Sequence, residues 1–281
     1  MAVDIGSIDH WANNWDSYMH RASALSKVVA VGMIIAAVVV TPDFFTLLTI
    51  YLATAAAIVS TRLPALRIMA VGAYPAVFAL LFAISRWDGT ILTPMVIILK
   101  ALAAALATLM LITTTPYPAV FAVIHGLLPR VVGDGFFLTY RSTFVLLDLA
   151  GNLRMALRLR GGLSRRDYVG NVKNISMGLG LLLIRSLALS QRVYDAMRIR
   201  GYSGRLVAPL AWRKVTAYDI MPLTMGLLLL GLVLASRFFR EQVIQYNGFL
   251  LMLSIVALLG AIAYTRLAPG ASLTGGRAWR R

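Results

Sequence analysis

Ile91-Leu-Thr-Pro-Met-Val-Ile-Ile-Leu-Lys-Ala-Leu-Ala-Ala-Ala-Leu-Ala-Thr-Leu-Met-Leu-Ile-Thr113 is an apolar run broken by a single charge, Lys100. A helix needs about 17–25 such residues to cross the hydrocarbon core of a bilayer. Working outward, the same criterion picks out residues 25–40, 44–60, 66–85, 217–236 and 247–265. These six runs predict an all-α, polytopic membrane protein with about six transmembrane helices. The first two are short, and Thr41-Pro42-Asp43 makes a tight turn between them. Pro75 lies inside the third run, where it should kink the helix or be compensated by neighbours.

Composition points the same way. The chain has 281 residues, is 59% hydrophobic and has positive mean hydropathy, which sets it apart from soluble domains. Its formal charge of +16 has a topological reading, because no basic domain stands apart from the spans. Nucleic acid is therefore not expected as a partner. With no cysteine, disulfides, thiolate metal sites and a cysteine nucleophile are excluded.

Loop charge orients the bundle. Arg21 and Lys27 flank the start of the first span, and Arg62 and Arg67 follow the second. Residues 114–214 hold fifteen basic side chains, and Arg266, Arg277, Arg280 and Arg281 follow the last span. The other side carries only Asp43, then Arg86 with Asp88, then Arg237 and Arg240 with Glu241. Positive residues accumulate on the cytoplasmic side, so both termini are expected in the cytoplasm of a cell inner membrane. The N-terminus does not read as a cleavable signal peptide, since Asp4, Asp9 and Asp16 interrupt it. Ile8, Trp11, Trp15, Tyr18 and Ala22 recur at helical spacing, as in a short amphipathic helix at the lipid interface. The expected organisation is an interfacial segment at 1–24, four spans in 25–113 and a cytosolic region at 114–214. Two more spans follow in 215–266, then a basic tail at 267–281.

The 114–214 region is too long for a linker and contains three readable helices, over 118–128, 136–160 and 174–200. The two long ones are apolar at first and cationic at the end, as expected of helices that begin against a bundle and end in water. Their ends nearly repeat: Arg154-Met-Ala-Leu-Arg-Leu-Arg-Gly161 and Tyr194-Asp-Ala-Met-Arg-Ile-Arg-Gly201. Gly161 and Gly201 suit a left-handed stop. Arg158, Arg160, Arg198 and Arg200 in the last turns complement the helix macrodipole, which is the purely structural explanation. It accounts for a basic residue near each end but not for the same Arg-x-Arg-Gly ending twice. Because residues two apart point about 200° from each other, one arginine of each pair can project outward. Two matched tips on one platform read as docking points for two copies of one partner, with headgroup binding or solvation as the alternative. The tips are expected to cross near each other.

At these residues the chain resembles the transmembrane T component of energy-coupling-factor ABC transporters, most of all the cobalt-type CbiQ family. That family ends two cytosolic coupling helices in Ala-Arg-Gly-like triplets, matched here by Leu159-Arg160-Gly161 and Ile199-Arg200-Gly201. The flanking Tyr140-Arg-Ser-Thr-Phe-Val-Leu-Leu147 and Arg192-Val-Tyr-Asp-Ala-Met197 are also similar, as are Ser7-Ile-Asp-His-Trp-Ala12 and Lys27. Leu159 and Ile199 replace the motif alanine. The resemblance implies a non-catalytic scaffold joining two ABC ATPase subunits (CbiO-like) to a membrane substrate-capture subunit (CbiM/CbiN-like, or another S component). It implies uptake of cobalt or nickel, or of a vitamin by an importer of the same build. Arg160 and Arg200 would each enter an ATPase groove, supported by Arg158, Arg198 and Lys100, while ATP and Mg are bound by the ATPases. This chain itself would hold no cofactor and no metal, and membrane lipid would surround it.

The residues exclude several chemistries. No Gly-x-x-x-x-Gly-Lys-(Ser/Thr) phosphate loop occurs. His10, His20 and His125 lack partners at ligand spacing. Lys100, deep in a span, reads as snorkelling or bonded to a carbonyl or helix dipole, or else as touching a partner or neighbouring helix. Arg185 is placed at an interface, because its helix does not read as a full span. A polytopic enzyme acting on a phosphorylated lipid-linked substrate is the alternative function. It lacks the carboxylate pair that metal-assisted chemistry would need. A secondary transporter is disfavoured by the lack of inverted halves with matching broken helices.

Overall fold

The computed structural model describes residues 17–61, 63–87, 89–125, 129–162, 168–202, 217–238 and 240–267. Residues 1–16 of the expected interfacial segment lie outside them, as does nearly all of the basic tail. The described chain is helical. It comprises α1 (Tyr18–Arg21), α2 (Ala24–Val40), α3 (Phe44–Ser60), α4 (Ala65–Gly72), α5 (Tyr74–Ser85) and α6 (Leu92–Thr114). These are followed by α7 (Tyr117–His125), α8 (Arg130–Leu159) and α9 (Tyr168–Ile199). A 3₁₀ turn (Ala217–Asp219) leads into α10 (Ile220–Phe238), and α11 (Arg240–Leu267) ends the series.

All six apolar runs are helical. Among the described residues, five helices are long and apolar enough to cross a membrane: Ala65–Ser85, Leu92–Thr114, Tyr168–Ile199, Ala217–Phe238 and Gly248–Thr265. The apolar helices α2 and α3 are shorter, at 17 residues each. The departure is α9, which the sequence reading treats as too polar to be a full span. By length and composition it qualifies, because its middle third is mostly aliphatic and carries the single charge of Arg185. Pro75 acts at the first turn of α5, where its missing N–H costs no helical bond. The third run accordingly divides at Ala73 rather than bending smoothly.

The chain forms two compact units, residues 1–123 with 210–281, and residues 124–209. In the first unit α3 packs against α6 and α11, α2 against α10 and α6, and α5 against α6. The buried face of α6 carries Leu99, Ala103, Leu106, Ala107 and Met110, a helical repeat that shares one core with Ile34, Leu47, Ile50 and Val233. Helices gain little from hydrophobicity against lipid, so close backbone approach through small side chains holds them. Gly226 of α10 is the tightest example. A Cβ there would stand 3.0 Å from both Cα and the carbonyl oxygen of Ala30 on α2.

The second unit contains α8 and α9, and both begin six residues earlier than the sequence reading has them, at Arg130 and Tyr168. Gly133 and Gly135 hide the start of α8, since each glycine costs a helix about 1 kcal/mol. Packing overrides that preference. The ring of His125 lies against Gly133, where a Cβ would fall 2.1 Å from the imidazole Cδ2.

Candidate functional site

The ends of α8 and α9 are capped by one and the same motif. At the first, Gly161 has φ +68° and its N–H donates to the Arg158 carbonyl at 3.1 Å. The Gly162 N–H donates to the Leu157 carbonyl at 2.9 Å. At the second, Gly201 has φ +81°, its N–H donates to the Arg198 carbonyl at 3.0 Å, and Tyr202 donates to Met197 at 3.0 Å. This pair of reversed bonds around a left-handed glycine is the Schellman arrangement, and it satisfies carbonyls the helix leaves unpaired. Arg160 and Arg200 thus occupy equivalent cap positions, with Arg158 and Arg198 at equivalent positions in the last helical turn. All four arginines are exposed.

Between each pair of arginines stands an aliphatic side chain displayed to the outside, Leu159 at 83% exposure and Ile199 at 87%. Each tip therefore offers two guanidinium groups around one bare aliphatic group. An interface uses such a set well, because the fork of donors meets carboxylates while the aliphatic group is desolvated.

The helices are antiparallel, with the start of α9 beside the end of α8. Asn174 Nδ2 donates to the Gly162 carbonyl at 2.9 Å. Gly178 lets α9 approach Leu153 and Leu157, whose side chains would lie 3.0 and 3.5 Å from a Cβ there. The less exposed face of α8 runs through Leu138, Ser142, Leu146, Leu149, Leu153 and Leu157. That of α9 runs through Asn174, Gly178, Leu182, Ser186, Leu189, Val193 and Met197. From Asn174 to Arg200 is 26 residues, about 39 Å of helix at 1.5 Å each. The expectation that the two tips cross near each other is therefore corrected. Because α9 runs back from a start beside the first tip, the second tip stands at the opposite end of the hairpin.

Of the other singled-out residues, Arg185 is an exposed residue of α9. Lys100 belongs to the first unit, where its Nζ donates to the Val39 carbonyl of α2 at 3.1 Å. That bond is at once the pairing with a carbonyl of one reading and the contact with a neighbouring helix of the other. His10 lies outside the described residues.

Two polar clusters escape the sequence reading. His125 Nε2 lies 3.1 Å from Asp134 Oδ1, and Asp134 is buried. The residues are nine apart, on opposite sides of Pro129, so neither helical nor strand periodicity pairs them. In the first unit, Lys27 is buried and donates to the Thr114 carbonyl at 3.0 Å, while buried Asp219 accepts from Ser26 Oγ at 3.1 Å. The sequence signal for this cluster is the cost of a lysine inside an apolar helix.

Comparison with known proteins bears on the whole arrangement. The Cobalt transport protein CbiQ of Salmonella typhimurium is 31% identical over 106 residues, which are 37% of this chain. The match spans 46% of that relative, less than half its length. The CbiQ family model, described as cobalt transport protein, matches residues 16–209, a stretch that includes both arginine tips and the helices bearing them. This multi-pass membrane protein belongs to the CbiQ cobalt transport protein family.

Proposed function

We propose that the chain is the non-catalytic transmembrane coupling subunit of an energy-coupling-factor importer for a transition-metal ion, cobalt or nickel. The observation that carries this reading is the duplication of one arginine-bearing cap at the two ends of a single helical hairpin. A compact domain of about 100 residues has a radius of gyration near 13 Å. Two such bodies, each about 34 Å across, can be centred on points about 39 Å apart. Each tip seats in one ATPase subunit, with Arg160 and Arg200 meeting acidic side chains and Leu159 and Ile199 filling the adjoining apolar surface. Nucleotide-driven closure of the ATPases displaces one end of the hairpin relative to the other. The first unit relays that displacement to a substrate-capture subunit in the membrane. ATP and Mg belong to the ATPases, and the metal ion is cargo. Both termini and both tips face the cytoplasm, in keeping with the loop charge.

The test is co-expression with cassette ATPases and a capture subunit, followed by affinity purification in mild detergent and radioactive cobalt uptake by cells. The expected result is ATPases in the eluate in a two-to-one ratio to this chain, with uptake that depends on it. An eluate free of ATPases, with uptake unchanged when the chain is deleted, overturns the reading.

A further inference from the structure

Thr114 ends α6, and Ala217 opens the turn before α10, so residues 115–216, which include all of the second unit, lie between these two points in the sequence. Both points are tied to the start of α2. Lys27, 2% exposed, places its Nζ 3.0 Å from the Thr114 carbonyl and 3.5 Å from that of His20. Asp219, 3% exposed, accepts from the Ser23 N–H and from Ser26 Oγ, within one turn of Lys27 on α2. Ser23 also caps α2 by accepting from the Ser26 N–H at 3.3 Å. Three helix ends, from parts of the sequence 87 and 193 residues apart, thus meet around two buried side chains of opposite charge.

A buried pair of charges is a poor source of net stability, since desolvation cancels most of its attraction, but it holds a defined geometry. Here it sits at the two roots of the segment bearing the arginine tips. We infer that Lys27 and Asp219 are positioning residues that clamp both roots of the 115–216 segment to α2, so that displacement of the tips moves the membrane helices rather than being lost by hinging at the roots. Lys27 also neutralises the negative end of the α6 dipole, which fixes the carbonyl at the first root in place. The clamp rests on the proposed coupling function for its purpose, though not for its existence.

The test compares Lys27→Met, Asp219→Asn and the double variant with wild type, in the complex with its ATPases. Each single change removes one buried charge from beside its opposite, so both are expected to lower the amount of protein in membranes. The double change removes both charges while the introduced asparagine keeps the serine contacts, so membrane level and ATPase co-purification should recover. Hydrogen exchange at residues 112–119 and 217–223 should nevertheless run about tenfold faster than in wild type. Metal uptake per ATP hydrolysed should stay about tenfold lower. A purely structural pair predicts instead that coupling recovers with assembly, and that result overturns the inference. Unchanged exchange at the two roots overturns it as well. The exchange measurement needs neither ATPase nor transport, so failure of the coupling function itself is read separately, from the purification.

Discussion

The ammonium of Lys100 on α6 donates to the Val39 carbonyl in the last turn of α2, at 3.1 Å. Its counterpart is Lys27 on α2, which donates to the carbonyl of Thr114, the last residue of α6. The two helices are antiparallel neighbours, and each places a lysine on the negative end of the other's dipole. A span otherwise free of charge accommodates an ammonium this way, because main-chain carbonyls near a helix end have lone pairs to offer.

Lys100→Leu is expected to lower the stability of the detergent-solubilised chain by about 1 kcal/mol, the usual worth of a hydrogen bond between membrane helices. Lys100→Arg should keep most of it. ATPase co-purification should not change in either variant, and its loss would assign Lys100 a coupling role after all. Unfolding monitored by circular dichroism in mixed micelles measures the difference.

Gly226→Val should destabilise the first unit by about 1–3 kcal/mol, because the new side chain meets the Ala30 backbone, which cannot move aside as a flexible side chain would. Gly231→Ala serves as the control, since a Cβ there meets nothing within 4 Å. Equal unfolding midpoints for the two variants would contradict the close crossing of α2 and α10.

Gly161→Ala and Gly201→Ala force φ values of +68° and +81° on a residue with a Cβ, at about 1–2 kcal/mol each. The expected consequence is fraying of the last turn and weaker ATPase co-purification. Asparagine, which tolerates this conformation, should retain binding better. Alanine variants as effective as wild type would show that the caps do not present the arginines.

Loss of one tip arginine should cost about 2–5 kcal/mol at its own contact, by leaving an acidic partner unpaired. Because the tips stand far apart, Arg160→Ala and Arg200→Ala should each leave the other tip engaged, and only the double variant should abolish ATPase binding and uptake. Arg158→Ala and Arg198→Ala should have smaller effects. Membrane insertion should be normal throughout. A double variant that binds ATPases normally would return the tips to the headgroup-binding alternative.

Cytoplasmic placement of the tips is checked with single thiols, which the cysteine-free sequence makes unambiguous. Leu159→Cys and Ile199→Cys expose the thiol at positions 83% and 87% accessible. A membrane-impermeant maleimide should label them in inside-out vesicles and not in intact spheroplasts. Labelling from outside would reverse the topology.

What is legible in the sequence is what short-range physics controls. Apolar run length and the two glycine stops act over a few residues, so six helical runs and both arginine caps can be read directly. The starts of α8 and α9 are not, because local glycine and asparagine penalties point the wrong way. Packing of His125 on Gly133 and of Asn174 on Gly162 offsets those penalties. Only the tertiary structure decides that the tips stand at opposite ends of a hairpin, since that depends on the direction of α9 against α8. It alone brings Lys27 to Thr114 and Asp219 to Ser26, across 87 and 193 residues. A buried charge in a sequence announces that it needs a partner, but which carbonyl or carboxylate meets that need is set by which helix ends the packing brings together.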